Sequence, residues 1–252
     1  METRYSRNRI YVREDEQEKI KNYRIFLGGA GIGSVIAECA LRFGFENITI
    51  VDGDNVELSN LNRQNYTEND LGNPKAEALA KRLLQINPQA NIKVHNGFID
   101  ANNLHALLQG HDVAINALDF ATDVPFLFDT ACQQYSIPVL HPYNIGWAGL
   151  VTVVAPDGQQ LKVISEDEKG FEVKMVQYVS NYLKFWADPQ EWIDKIILEY
   201  RNEKNILPPP QLSVASWIVA GQCTHIIYNL ATGKAVKKFP KFYLSSIIDD
   251  KN

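Results

Sequence analysis

Phosphate chemistry is suggested first by the run Gly28-Gly29-Ala30-Gly31-Ile32-Gly33, which follows an apolar stretch and precedes a helical pattern. Small residues at a strand-to-helix turn let the backbone approach a pyrophosphate, and the helix N-terminus offers it unpaired N–H groups. Alone, such a loop serves NAD, FAD, ATP or no ligand at all. Read from Gly28, Ala30 stands where the second glycine of a dinucleotide fingerprint belongs, and its methyl group is expected to tighten the approach. Asp52 ends the next apolar run with a carboxylate able to accept from ribose hydroxyls, which points to an adenine nucleotide without separating NAD from ATP. Asn60, Arg63 and Lys75 follow. Arginine supplies a planar fork for phosphate oxygens and lysine a compact charge, a pair suited to balancing a triphosphate rather than a dinucleotide.

The elements that must position these groups alternate. RIFLG (24–28) and ITIVD (48–52) read as buried strands around a helix from Ile32 to Phe43. A second helix runs over 74–87, with Pro74 at its first position. NIKVHNG, DVAINAL and IPVLHP read as further strands, separated by helical LHALLQG and FLFDTACQQY. Strands alternating with helices predict right-handed βαβ units and a parallel sheet. After His141 the pattern changes: AGLVTVVAPDGQQLKVI alternates around Asp157-Gly158, which predicts a hairpin. Residues 173–203 read as aromatic-rich helix, broken at ADPQEW, where Asp188 is expected to cap, Pro189 to start and Glu191 to complete a second helix. LPPP (207–210) is a stiff connector, SVASWIVAGQCTHIIYNL a final apolar helix and KFYLSSI a last strand. The fold class expected is α/β, a Rossmann-like three-layer fold. Its sheet is parallel in its first part and antiparallel in its later strands, with an added helical segment. The chain divides into an N-terminal helical arm (1–21), a nucleotide-binding core (22–155) and a C-terminal part (156–252) completing the same domain.

Composition sets limits. A chain of 252 residues at 45% hydrophobic can bury a proper core. Net charge is −5 with Lys and Arg dispersed, against a nucleic-acid partner, which needs a concentrated basic face. The polar start carries no secretory signal, no apolar run approaches a membrane span, and Cys39, Cys132 and Cys223 lie far apart, so a reducing cytoplasm is expected.

The segments RYSRN, GGAGIG, DGDNVELSNLNRQ, GNPK and INP together resemble the ThiF/MoeB/HesA adenylating enzymes, relatives of the ubiquitin-activating enzyme, over roughly the first two-thirds of the chain. The resemblance implies an ATP-dependent adenylyltransferase. Its substrate would be a small ubiquitin-like or sulfur-carrier protein, usually ending in Gly-Gly, whose C-terminal carboxylate becomes an acyl-adenylate as pyrophosphate leaves. By the same resemblance Gly28, Gly29, Ala30, Gly31 and Gly33 lie against the phosphates, and Asp52 holds the ribose. Asp54 and Asn60 join the nucleotide site, while Arg63 and Lys75 meet the phosphates. Asp119 helps hold Mg²⁺, and Arg7 reaches across a two-fold interface into the partner's site of a homodimer. The family pattern after the aspartate is Asp-Asn-x-x-x-Arg; here Phe120 and Val124 occupy the other two places.

The CxxC pairs that hold zinc in many relatives are missing from the sequence, so no zinc is expected, and the aromatic helices are expected to fill that part with packed core or to form a partner groove. With Cys132 and Cys223 in apolar surroundings, no covalent thioester step is expected. His141 and Tyr143 are expected to line a substrate channel, with a satisfied strand-end residue as the alternative for His141. Three other functions fit parts of the sequence: dehydratase-type adenylation as for threonylcarbamoyladenosine in tRNA, an NAD-binding oxidoreductase, and a nucleotide-binding module that has lost activity.

Overall fold

In the computed structural model a seven-stranded sheet runs in the order β3-β2-β1-β4-β5-β6-β7. The structure describes residues 4–165, 167, 169–204 and 207–248, so the first three residues of the arm and the last four of the chain lie outside the described residues. β1 (Arg24–Gly28), β2 (Asn47–Asp52), β3 (Asn91–Asn96), β4 (Val113–Asn116) and β5 (Val139–Ile145) are parallel. β6 (Ala148–Val154) and β7 (Phe242–Ser245) are antiparallel to their neighbours. The central strands are continuous apolar runs because helices cover both faces. On one face, α2 (Gly33–Phe43), α3 (Lys75–Ile86) and α8 (Ser213–Ala231) close over Leu27, Ile50, Ile115 and Val151. On the other, α4 (Leu104–Leu108), α5 (Val124–Gln134) and α6 (Phe171–Phe185) close over Phe26, Val51, Ala114 and Leu150. α1 (Glu14–Asn22) buries Ile20 in the first layer, and α7 (Glu191–Arg201) packs on α6.

Three local expectations are corrected. The hairpin lies one turn earlier, between β5 and β6, where Gly146 takes φ +72 and supplies the left-handed turn residue. Asp157-Gly158 makes only a turn, Gly158 N–H to Ala155 O at 3.0 Å, after which buried Leu161 draws the chain into a 3₁₀ turn at Leu161–Val163. Asp188 does not cap α7. It closes α6 instead, in a Schellman arrangement with Ala187 left-handed at φ +59, Asp188 N–H on Leu183 O and Ala187 N–H on Lys184 O. Gln190 then sits at the N-cap of α7. Pro74 precedes α3 as its N-cap, because Lys75 N–H is engaged by Asp54 O at 2.9 Å.

The aromatic helices divide their roles. Phe171, Met175 and Val179 pack into the second layer, and Trp192, Ile193 and Ile197 are buried against Ala148. Phe185 and Trp186 are exposed.

Candidate active site

The sheet order reverses between β1 and β4, and open α/β sheets bind ligands in the crevice beyond such a switch point. A cavity of about 1360 Å³ opens there. Typical small-molecule pockets are about 300–1,000 Å³, so this one has room beyond a nucleotide. The ends of β1, β2, β4 and β5 form its inner part; α6, α7 and the connector 208–212 form its outer part.

The glycine loop is held by the fold itself. Gly29 takes φ +94, and a Cβ there would stand 2.4 Å from Ala117 O. A Cβ at Gly33 would meet Leu27 at 2.8 Å, the close helix–strand contact that this position requires. Gly29 and Gly31 line the cavity. Ala30 does not: it is fully buried in the core, its N–H donates to Asp52 Oδ2 at 2.6 Å and its carbonyl accepts from the Tyr66 hydroxyl at 2.8 Å. The methyl expected to crowd the phosphates therefore packs against apolar neighbours. Gly28 likewise faces Phe128 and Ile99 rather than the opening.

Asp52 ends β2 and joins two backbone segments. One oxygen accepts from Ala30 N–H and the other from Asp54 N–H at 2.7 Å. Burial pushes its carboxyl above the usual range, against the pull of those two amides and of Lys75. Each oxygen keeps lone pairs for further donors such as ribose hydroxyls. Lys75, in the first turn of α3, is nearly buried and pairs with Asp54 at 3.0 Å. Asn60 is fixed by Glu57 N–H at 3.0 Å. Arg63 donates to Ser59 O at 2.7 Å, Asn62 Oδ1 at 2.9 Å and Gln211 Oε1 at 2.5 Å. Burial lowers the pKa of its guanidinium, and Asp119 opposes that shift.

Asp119 is exposed at the cavity wall, in the loop after β4. That loop is anchored by Phe120, whose ring stacks on Phe171 at 4.4 Å and meets Phe126 at 5.3 Å, and whose N–H donates to Glu172 at 3.2 Å. The unusual Phe120 thus ties the Asp119 loop to the start of α6, and Val124 begins α5 at the cavity edge. The site brings together Gly29, Gly31, Asp52, Asp54, Asn60, Arg63, Lys75 and Asp119. It does not bring in Arg7, which is exposed on the 3₁₀ turn Ser6–Asn8. Asp119 offers an exposed carboxylate that could serve Mg²⁺, which binds through few protein oxygens and fills its octahedron with phosphate and water.

Further residues bear on the site. Gln211 holds Arg63 from the far end of the chain, and Gln64 lies 3.3 Å from where a Gly31 Cβ would be. Asn116 could have been found from its place at the end of β4; nothing in the sequence marks Gln211. His141 is fully buried and paired with Asp129 at 2.8 Å, and Tyr143 beside it also lines the cavity. Cys132 and Cys223 are buried, and burial pushes both thiols well up.

The chain is 32% identical over 160 residues to the SAMP-activating enzyme E1 of Haloferax volcanii, covering 62% of this chain and 58% of that protein. It is 34% identical over 163 residues to the sulfur carrier protein ThiS adenylyltransferase of Bacillus subtilis, covering 62% and 48%. With the molybdopterin-synthase adenylyltransferase of Escherichia coli it shares 31% over 141 residues, covering 55% and 56%. The chain thus spans about half the length of the curated relatives it matches. Its fold is similar to that of E. coli MccB in the crystal structure with ATP, with a TM-score of 0.68, 18% identity and coverage of 98% of this chain and 71% of the other. PaaA gives a TM-score of 0.67 at 20% identity, covering 93% and 73%. The ThiF family matches residues 5–248, which takes in the C-terminal third beyond the sequence motifs, and with the glycine loop, Asp52, Arg63 and Lys75 gathered at one switch point, the chain belongs to that family.

Proposed function

We propose that this chain is an ATP-dependent adenylyltransferase that activates the C-terminal carboxylate of a small ubiquitin-like or sulfur-carrier protein as an acyl-adenylate. The observation that carries this is the single cavity in which Gly29, Gly31, Asp52, Lys75 and Arg63 meet, with volume left for an acceptor tail. The names of the similar proteins, which include a ThiS adenylyltransferase and a SAMP-activating E1, support the same chemistry.

In this reading the acceptor carboxylate attacks the α-phosphorus of ATP and pyrophosphate leaves. Asp52 accepts from the ribose, the loop N–H groups face the phosphates, and Lys75 and Arg63 neutralise the charge that builds on the departing pyrophosphate. Arg63 must exchange its carbonyl and amide acceptors for phosphate oxygens. Mg²⁺, held by Asp119, would supply Lewis-acid charge stabilisation. The adenylate is handed on directly, since the buried, protonated thiols of Cys132 and Cys223 are poor nucleophiles. Arg7, exposed and outside its own cavity, is supplied to the second site of a homodimer; its position on the arm supports that assignment. ATP–pyrophosphate exchange with a small protein ending in Gly-Gly tests the proposal. Exchange that depends on the acceptor is expected; ATP binding without exchange for any such acceptor would overturn it.

A further inference from the structure

Beyond the phosphate-binding groups, the cavity wall contains buried polar atoms without a hydrogen-bond partner among the described residues. Two of them, Asn116 Oδ1 and the Tyr143 hydroxyl, lie on the same face of adjacent strands β4 and β5. Asn116 is 3% exposed and Tyr143 is 7% exposed. A buried polar group left unpaired forfeits its hydration without replacing it, so two on one strand face call for a ligand. Their surroundings say which kind. The amide nitrogen of Asn116 is taken by Pro125 O at 2.9 Å and Asp129 Oδ1 at 3.1 Å, which leaves its oxygen as a pure acceptor. Asp129 is itself engaged by His141 Nε2 at 2.8 and 3.0 Å. Glu172, from the start of α6, supplies a second carboxylate close enough to Tyr143 to act on it electrostatically. A carboxylate or phosphate would be repelled here. A neutral group that donates an N–H and accepts an O–H is what fits.

We propose that Asn116 and Tyr143 form a buried subsite for an amide of the molecule whose carboxylate is activated. Asn116 Oδ1 accepts its N–H and Tyr143 donates to its carbonyl. This rests on the adenylation reading above and gives the acceptor a point of recognition separate from the nucleotide. The amide comes either from the acceptor's main chain next to the terminal carboxylate or from a carboxamide side chain on its last residue. Asn116 and Tyr143 are positioning residues, and His141 and Asp129 hold Asn116 in place.

The full chain and Tyr143→Phe are compared on three readouts. The first is thermal unfolding without ligand. Because the hydroxyl has no partner among the described residues, its removal leaves the Tm unchanged or raised, and a fall of more than about 2 °C would assign it a structural bond and overturn the subsite. The second is ligand-observed NMR with N-acetylglycylglycine (main-chain amide), succinamate (carboxamide) and butanoate (no amide). Binding of either amide at least about tenfold tighter than butanoate, and lost in the variant, supports the subsite and identifies the source. Equal binding of butanoate, no binding of any probe, or no loss in Tyr143→Phe overturns it. The third is ATP affinity, which stays unchanged in the variant. If the amide binds but the chain takes up no ATP, the subsite stands and the adenylation reading falls; if ATP binds and exchange proceeds while the amide preference is absent, the reverse holds.

Discussion

Replacing Lys75 by methionine separates a phosphate-binding role from a structural one. The ammonium lies 3.0 Å from Asp54, with the lysine side chain 10% exposed and the aspartate 52%. Removing the charge leaves a carboxylate that water can reach, and exposed ion pairs contribute about 0–1 kcal/mol, so the fold loses little. Methionine fills nearly the same volume, which keeps the first turn of α3 packed. The nucleotide is affected far more. A unit charge about 4 Å from a phosphate oxygen at an effective dielectric of about 20 is worth about 4 kcal/mol. At about 1.4 kcal/mol per decade, that is roughly a thousandfold in kcat/KM for ATP. Lys75→Arg keeps the charge in a bulkier, planar head and recovers part of the loss. The assay is ATP–pyrophosphate exchange, run beside thermal unfolding. Exchange within tenfold of the parent at unchanged Tm would remove Lys75 from the phosphates. A Tm fall of more than about 5 °C would show instead that the effect passes through the fold.

Phe120→Ala removes a ring stacked at 4.4 Å on Phe171 and is expected to cost about 3 kcal/mol in urea unfolding, with exchange reduced because the Asp119 loop loses its anchor. A cost below about 1 kcal/mol would show that the loop is held otherwise. Glu16 accepts from Arg13 N–H and the Tyr228 hydroxyl and forms an ion pair with Lys234 at 2.9 Å, and these contacts hold its carboxyl near 2, below the ordinary 4.5. Its stabilisation is therefore present above about pH 4.5 and lost as pH falls from there toward 2; acid unfolding of Glu16→Gln should lack that component, and an unchanged acid profile would refute it. Mixed dimers of Arg7→Ala and Asp119→Ala should regain exchange that neither variant shows alone, and failure to complement would mean that the sites are not shared.

Much of the site could be read in the sequence because its chemistry is concentrated at strand ends. Asp52 and Lys75 follow recognisable elements, and the structure places both at the cavity. The parallel part of the sheet was legible for the same reason: its strands are short apolar runs separated by helical spacing. What sequence spacing could not show was which way a residue faces. Ala30 occupies a phosphate-loop position, yet its peptide is turned so that the methyl packs inward and the N–H meets Asp52. Turn residues misled where another segment satisfied them first. Asp188 has the chemistry of a cap but is used by the preceding helix, and Asp157-Gly158 turns toward buried Leu161 instead of a returning strand. Gln211 left no signal, since its role arises only when distant elements meet, whereas Tyr143 was placed beside the channel by its position after His141.

The bridge that Asp52 makes between Ala30 and Asp54 has a consequence for how fast and how selectively a nucleotide can be taken up. The loop hangs from four fixed points: Gly29 N–H on Val51 O, Ala30 N–H on Asp52, Ala117 N–H on Gly28 O, and the Tyr66 hydroxyl on Ala30 O. Ordering a flexible loop costs about 1–2 kcal/mol for each residue fixed. Here that cost falls on folding, so under the proposed function the loop would meet a nucleotide already in shape. The half of the cavity tied by these bonds would then act as a template, faced by α6, α7 and the connector on its outer side.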